Sequence, residues 1–374
     1  MSDFSLIILA AGDASRFDMG VKKQWIRIGQ DPLWLYVVKK FEALNLFKNI
    51  IVVSHKEEAA YMQNHTEHLI VEGGSSRQES LNLGLARVDT PYVMVSDAAR
   101  ACISETLVRS ILSKKDEADC IVPFLPIHDT VVYQKETIDR AELMRIQTPQ
   151  LSKTDVLRQA LSTDVSYTDD SSAIVALGGT RHYISGDEHA HKLTTIEDIH
   201  KLPCLQKPSN DFFVGSGFDV HAFESEKLMQ LGGVEIDTVD YGFKAHSDGD
   251  VAIHALIDAL LGASGMDDIG TLFPDTDSQY KGIDSKKLLG ICYEKLLSFG
   301  FELTHVDLTI MAEQPKVAPF KRAMRASLAN ILNLDLIHVN IKATTTEKLG
   351  FIGRKEGVAV SATATLKYYD WTRK

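Results

Sequence analysis

Gly217-Phe218-Asp219-Val220-His221 sets a carboxylate and an imidazole two residues apart. In an extended chain from Phe213 to His221 both side chains project from one face. Further on, a helix from Asp250 to Leu261 would stack Asp250, His254 and Asp258 at four-residue spacing. Its other face, Val251, Ala252, Ala255, Leu256 and Ala259, is apolar and can pack inward. Asp219, His221 and His254 then offer one oxygen and two nitrogen donors. That is the donor count of a catalytic zinc site, which keeps its fourth position open. The ordinary alternative is a solvated Asp-x-His strand face and a helical histidine hydrogen-bonded in the core; spacing alone leaves both open.

A second group of candidates lies in the N-terminal half. Apolar runs at Phe4 to Gly12, Asn49 to Ser54, Tyr92 to Asp97 and Asp119 to Pro123 read as buried parallel strands. Helix-like stretches from Leu33 to Leu44 and Ser80 to Val88 alternate with them, which predicts a doubly wound α/β sheet. Ligands in such sheets collect at the carboxyl ends of the strands. The first loop there holds Ala11, Gly12 and Arg16, followed by Lys22-Lys23-Gln24. Small residues admit a triphosphate to backbone N–H groups, and Arg16 and Lys23 bring positive charge. The Walker Gly-Lys-Ser/Thr is missing. The second loop, Gly73 to Ser80, opens a helix and offers Ser80 to a base or sugar; capping by Ser75 or Ser76 is the plainer reading. The third, Asp97-Ala98-Ala99-Arg100, offers Asp97 to a cation or ribose, or forms an Asp–Arg pair.

The chain has 374 residues, enough for two domains. Leu202-Pro203-Cys204-Leu205-Gln206-Lys207-Pro208-Ser209-Asn210 reads as the linker, giving domains 1–207 and 208–374. A net charge of −11 argues against a nucleic-acid surface, which needs clustered Lys and Arg. It leaves room for anionic small molecules held by a few basic residues. The four cysteines form no C-x-x-C pair, so no disulfide framework is expected. Without a signal-like N-terminus or a membrane-length apolar run, a cytoplasmic protein is expected.

The three loops, with His128-Asp129-Thr130, Asp139-Arg140, Thr148-Pro149-Gln150, Thr168 to Ala173 and His191-Lys192-Leu193-Thr194, resemble the 2-C-methyl-D-erythritol 4-phosphate cytidylyltransferases. The resemblance implies attack by methylerythritol phosphate on the α-phosphate of CTP, with Mg²⁺ present and pyrophosphate leaving. Arg16 and Lys23 would stabilise the phosphorus transition state. Arg140 and Lys192 would grip the methylerythritol phosphate, and Ala11, Gly12, Ser80, Asp97 and Arg100 would line the nucleotide site. An arm from about His128 to Gln150 would reach a partner subunit. Lys22 stands where the family usually has proline, which predicts a looser loop with stronger positive charge. Ser96, Ala101 and Ser75 are smaller departures.

Beyond the linker, Gly217 to His221, His246-Ser247-Asp248-Gly249-Asp250, Gly270 to Asp277 and Lys342 to Phe351 resemble 2-C-methyl-D-erythritol 2,4-cyclodiphosphate synthase. The implied fold is an α/β cyclodiphosphate-synthase domain appended to a nucleotidyltransferase-type sheet. The implied reaction closes a diphosphocytidyl methylerythritol 2-phosphate on its own β-phosphorus and releases CMP. Zn²⁺ would rest on Asp219, His221 and His254, and Mg²⁺ on Glu347. His246 and Thr345 would stabilise the transferring phosphoryl group, beside Ser247, Thr344 and Thr346. Asp268, Ile269, Gly270 and Phe273 would hold the sugar. Ala312, Pro315 and Lys316 would enclose the cytosine, and Phe351 and Arg354 would complete the pocket. Asp258 is either an orienting partner of His254 or a solvated helix residue.

Trimeric C-terminal domains and dimeric N-terminal domains would close as a D₃ hexamer. The two implied reactions are separated by a kinase step for which the sequence shows no kinase-like segment, so channelling from site to site would need a partner kinase. The rival reading is a cytidylyltransferase for another polyol phosphate, carrying a catalytically silent oligomerising C-terminal domain.

Overall fold

The computed structural model describes every residue except Met1, Asp13 to Arg16, Asp18, Met19, Asp164, His246, Asp275, Lys281 and Lys374. Among the site candidates, Arg16 and His246 therefore lie outside the described residues. The chain divides into two compact units, Met1–Lys207 and Pro208–Lys374.

In the first unit the chain runs β1 (Phe4–Leu9), α1 (Leu33–Glu42), β2 (Asn49–Ser54), α2 (Lys56–Gln63), β3 (Leu69–Glu72), α3 (Arg77–Leu85), β4 (Tyr92–Asp97), α4 (Glu105–Ser113), β5 (Cys120–Pro126), β6 (Met144–Ile146), β7 (Gln150–Lys153), α5 (Thr154–Ala160), α6 (Asp170–Ala176) and β8 (Arg181–Ser185). The sheet order is β6-β5-β7-β4-β1-β2-β3, with β8 also paired to β5. Strands β3, β2, β1 and β4 are parallel, while β7 joins β4 and β5 antiparallel. Leu6, Ile7 and Ile8 of β1 are fully buried, as a central strand covered on both faces requires. The doubly wound sheet is thus present, with an antiparallel extension that the apolar runs did not disclose.

The expectation of no disulfide is corrected: Cys102 and Cys204 are bonded, with Cα atoms 5.5 Å apart. They are 102 residues apart in sequence, so motif spacing could not reveal them. The bond ties the segment after Asp97–Arg100 to the segment after Lys192. Cys120 and Cys292 are buried free thiols.

The second unit runs β9 (Phe212–Ser225), β10 (Tyr241–Phe243), α7 (Val251–Ser264), α8 (Ile269–Leu272), α9 (Ser285–Ser298), β11 (Phe301–Met311), α10 (Lys321–Ile331), β12 (Val339–Thr344), α11 (Gly350–Gly353) and β13 (Gly357–Tyr368). Its sheet order is β10-β9-β13-β11-β12. Helix α7 lies flat on β9, an approach that only glycine permits: a Cβ on Gly215 would lie 2.1 Å from Ala259 O, and one on Gly217 2.0 Å from Ala255 O. The helix starts one residue later than spacing suggests. Asp250 is its N-cap rather than a member of the polar face, and its buried carboxylate accepts the N–H groups of Gly232, Gly233, Ala252 and Ile253. Among the described residues no helix is long and apolar enough to cross a membrane.

Candidate functional sites

In the first unit the carboxyl ends of β1 and β4 open into a cleft of about 330 Å³. Ala11, Gly12, Lys23, Ser80, Asp97 and Lys192 all line it. Gly73 brings the loops together, since a Cβ there would lie 2.8 Å from both the Ala11 Cβ and the Ser80 Oγ. Ser80 Oγ in turn accepts the Gly74 N–H at 3.1 Å. The capping reading also holds: Ser76 Oγ accepts the N–H of Glu79 and so caps α3.

Asp97 is the electrostatic centre of this cleft. Lys192 Nζ lies 2.8 Å from Oδ2, Thr148 Oγ1 donates to it at 3.3 Å, and Arg77 Nε is 3.9 Å from Oδ1. Burial opposes the charge, but Lys192 and Arg77 outweigh it and hold the carboxyl down to about 2. Arg77 also donates to Asp170 at 2.6 Å, and burial pushes that carboxyl up despite the guanidinium. Arg100 is buried behind the cleft, donating to Thr148 Oγ1 and Ala190 O, so it braces the Asp97 wall rather than lining it. The alternative reading of Asp97 as half of an Asp–Arg pair is met by Arg77 rather than Arg100, with Lys192 the nearer cation. Arg140 is exposed on the arm, where its guanidinium donates to His128 O, apart from the cleft-lining residues.

Glu58 was not anticipated. Fully buried on α2, its carboxylate accepts from Lys22 Nζ at 2.5 Å, Trp25 Nε1 at 2.8 Å and Gln24 Nε2 at 3.1 Å. This corrects the expectation for Lys22: its ammonium is neutralised by Glu58, and the segment around Lys23 is fastened rather than loosened. Gln24 also donates to Gly12 O, linking the two halves of the loop.

In the second unit, β9 and α7 bring Asp219, His221 and His254 together. Asp219 Oδ2 is 3.4 Å from His221 Nε2 and 3.4 Å from His254 Nδ1. Ligands about 2.0–2.1 Å from a tetrahedral ion are themselves roughly 3.4 Å apart, so the donors fit a four-coordinate cation. Burial disfavours charge on Asp219, yet the adjoining His254 and His221 imidazoles hold its carboxyl below the usual range. Among the described residues this is the one cluster with metal-ligand geometry. Asp258 resolves its two readings differently from either: its Oδ1 accepts the Ile269 N–H at 2.8 Å, placing the Asp268–Gly270 segment beside the cluster. Ser247 Oγ is 3.4 Å from His254 Nε2. Phe273 is buried with its ring 5.2 Å from Tyr280.

The remaining candidates gather at the ends of β11 and β12. Thr345 Oγ1 donates to Glu347 Oε1 at 3.0 Å, and Glu313 accepts the Lys348 N–H, so the 312–318 loop and the 344–349 turn adjoin. Thr344, Thr345, Thr346, Glu347 and Phe351 are exposed or half-buried there, with Ala312 and Pro315 buried. Arg354 is exposed and paired with Glu356 at 2.8 Å, so its charge is directed at a carboxylate, not toward the other candidates.

The 2-C-methyl-D-erythritol 4-phosphate cytidylyltransferase family model matches residues 4–203, and the YgbB family model matches residues 212–367. The "Bifunctional enzyme IspD/IspF" of Sulfurimonas denitrificans is 55% identical over 369 residues, covering 99% of this chain and 95% of that protein. The protein of the same name from Aliarcobacter butzleri is 53% identical with both chains fully covered. The solved structure of the bifunctional IspDF from Campylobacter jejuni superposes with a TM-score of 0.92 at 48% identity, covering 100% of both chains. The chain belongs to the bifunctional IspD/IspF family, joining a 2-C-methyl-D-erythritol 4-phosphate cytidylyltransferase to a 2,4-cyclodiphosphate synthase.

Proposed function

We propose that cytidyl transfer occurs in the cleft of Lys23, Asp97 and Lys192, and cyclisation at the cluster of Asp219, His221 and His254. The observation that carries the second assignment is the 3.4 Å spacing of Asp219 Oδ2 from a nitrogen on each histidine.

In the first cleft, Ala11, Gly12 and Ser80 would receive the nucleotide, with Lys23, and Arg16 by family resemblance, offsetting charge on the reacting phosphates. Mg²⁺ accompanies the triphosphate as part of the substrate. Lys192 is held by Asp97, so an incoming methylerythritol phosphate would draw the ammonium from one anion to another. Arg140 would meet that phosphate from the arm of a neighbouring subunit.

In the second unit the three donors suit Zn²⁺, which when bound supplies Lewis-acid polarisation of a phosphate oxygen. Asp219, His221 and His254 would hold it; Ser247, Asp268, Ile269, Gly270 and Phe273 would position the methylerythritol end. Glu347 would hold Mg²⁺ near the diphosphate, with Thr345 and, by resemblance, His246 orienting the transferred group. Ala312, Pro315 and Lys316 would take the cytosine, with Thr344, Thr346, Phe351 and Arg354 around it.

The two halves of this site are separated within one chain. Asp219 and His221 of the cluster are on β9 and the Thr344–Glu347 turn follows β12, three strand steps away, or roughly 14 Å. A site completed between neighbouring chains removes that gap. The face of β9 turned away from α7 exposes Phe212, Val214 and Phe218 at 61–67%, the kind of apolar patch that a subunit contact covers. Trimeric C-terminal and dimeric N-terminal contacts, a hexameric assembly, a cytoplasmic location and a kinase partner for the intervening step remain part of this proposal.

Separate assays of pyrophosphate release and CMP release test it. His254→Ala should abolish the second and spare the first, and equal loss of both would defeat the two-site assignment.

A further inference from the structure

The geometry points to Ser285 and Asp248 as the positioning pair that fixes the His254 imidazole for its metal ion. This rests on the cation reading of the Asp219–His221–His254 cluster and deepens it.

His254 faces Asp219 through Nδ1, so Nε2 must be satisfied elsewhere. Ser285 Oγ lies 3.0 Å from Nε2, and the same hydroxyl donates to Asp248 Oδ1. A carboxylate accepts only, so the Ser285 proton points at Asp248 and its lone pair faces His254. The direction of the chain therefore assigns the proton of His254 to Nε2 and leaves the Nδ1 lone pair for a metal.

The pair is itself held in place. Ser285 is fully buried at the first turn of α9, and Asp248 Oδ2 accepts its N–H at 3.1 Å. Asp248 Oδ1 also accepts the Asp250 N–H, tying the support to the N-cap of the helix that carries His254. Ser247 is the weaker alternative for Nε2: its Oγ is 3.4 Å away and already accepts the Gly249 N–H. The two histidines are thus supported by different means. His221 uses Nδ1 against the Gly249 carbonyl at 2.9 Å, a main-chain partner that no side-chain change removes. His254 alone depends on side chains.

Deleting the Ser285 hydroxyl leaves the half-buried Nε2–H without its nearest acceptor and favours the tautomer that protonates Nδ1. Loss of such an outer partner weakens metal binding about 10–100-fold. The experiment is zinc affinity of the full chain by competition with a chromophoric chelator, with the cobalt(II) absorption spectrum as a second readout. Wild type, Ser285→Ala, Asp248→Asn and His254→Ala are compared. Ser285→Ala and Asp248→Asn should bind zinc about 10–100-fold more weakly and shift the cobalt bands, with pyrophosphate release unchanged. Wild-type zinc affinity in either variant overturns the inference. So does a lowered apoprotein melting temperature with zinc affinity unmoved, which would mark a packing role only. If wild type and His254→Ala bind zinc equally, the cation reading itself fails, a result distinct from either.

Discussion

Gly217→Ala should abolish the proposed zinc binding without altering Asp219, His221 or His254. The added Cβ would lie 2.0 Å from Ala255 O, 2.7 Å from Ala259 N and 2.9 Å from the Asp258 Cβ. Two of these are backbone atoms of α7 and cannot rotate away. Ordinary contact begins at 3.4 Å, so the helix must recede from β9 by about 1.4 Å. His254 moves with the helix and Asp219 stays with the strand, whereas metal sites tolerate deviations of about 0.2 Å. The overpacking itself costs about 1–3 kcal/mol, which a two-layer unit of this size withstands. The assay is zinc retained after chelator challenge, paired with CMP release, pyrophosphate release and near-ultraviolet circular dichroism. Zinc and CMP release should fall together while pyrophosphate release persists. Gly262→Ala is the control on the same helix, because its Cβ meets only Ser216 O at 3.9 Å. Wild-type zinc binding and CMP release in Gly217→Ala would refute the reasoning.

Further expectations concern the first unit. Glu58→Gln removes the anion that Lys22, Gln24 and Trp25 share; it should cost about 2 kcal/mol, discounted because Lys22 is partly exposed, and lower kcat for pyrophosphate release while sparing CMP release. Full activity and stability in that variant would contradict the fastening role. Asp97 has a depressed folded-state pKa of about 2, so its contribution is complete above its ordinary value near 3.9 and fades as pH falls from there through 2. Acid unfolding of the first unit, followed by tryptophan fluorescence, should lose about 2 kcal/mol over that window in wild type and less in Asp97→Asn. Thiol titration of denatured, unreduced chain should find only Cys120 and Cys292 reactive, and Cys102→Ser should lower the melting temperature of the oxidised protein.

Much of this was legible because periodicity encodes local faces. The Asp219–His221 pair follows from strand alternation, and His254 from the first turn of a helix whose apolar faces are plain in Val251 to Leu261. The runs that became β1, β2 and β4 are buried on both sides and so uniformly apolar. What the sequence concealed are polar partners joined only by tertiary packing. Ser285 is 31 residues from His254, Glu58 is 34 from Gln24, Arg77 is 93 from Asp170, and the bonded cysteines are 102 apart. No spacing rule connects them, because intervening elements set their approach. Lys22 is the same case: the carboxylate that neutralises it, Glu58, lies on α2, beyond any local spacing. Asp250 was placed on a polar face because four-residue spacing cannot distinguish an N-cap from a first-turn residue.

The central claim is that two separate phosphorus-transferring sites share this chain and that only the second needs the cation of Asp219, His221 and His254. The most direct test is to strip the protein with chelator, restore Mg²⁺ alone, and measure both products before and after adding zinc. Pyrophosphate release should survive stripping, while CMP and cyclodiphosphate should return only as zinc is taken up by the wild-type chain and not by His254→Ala. Cyclodiphosphate formation by zinc-free protein, or loss of both products on stripping with Mg²⁺ present, would contradict the account.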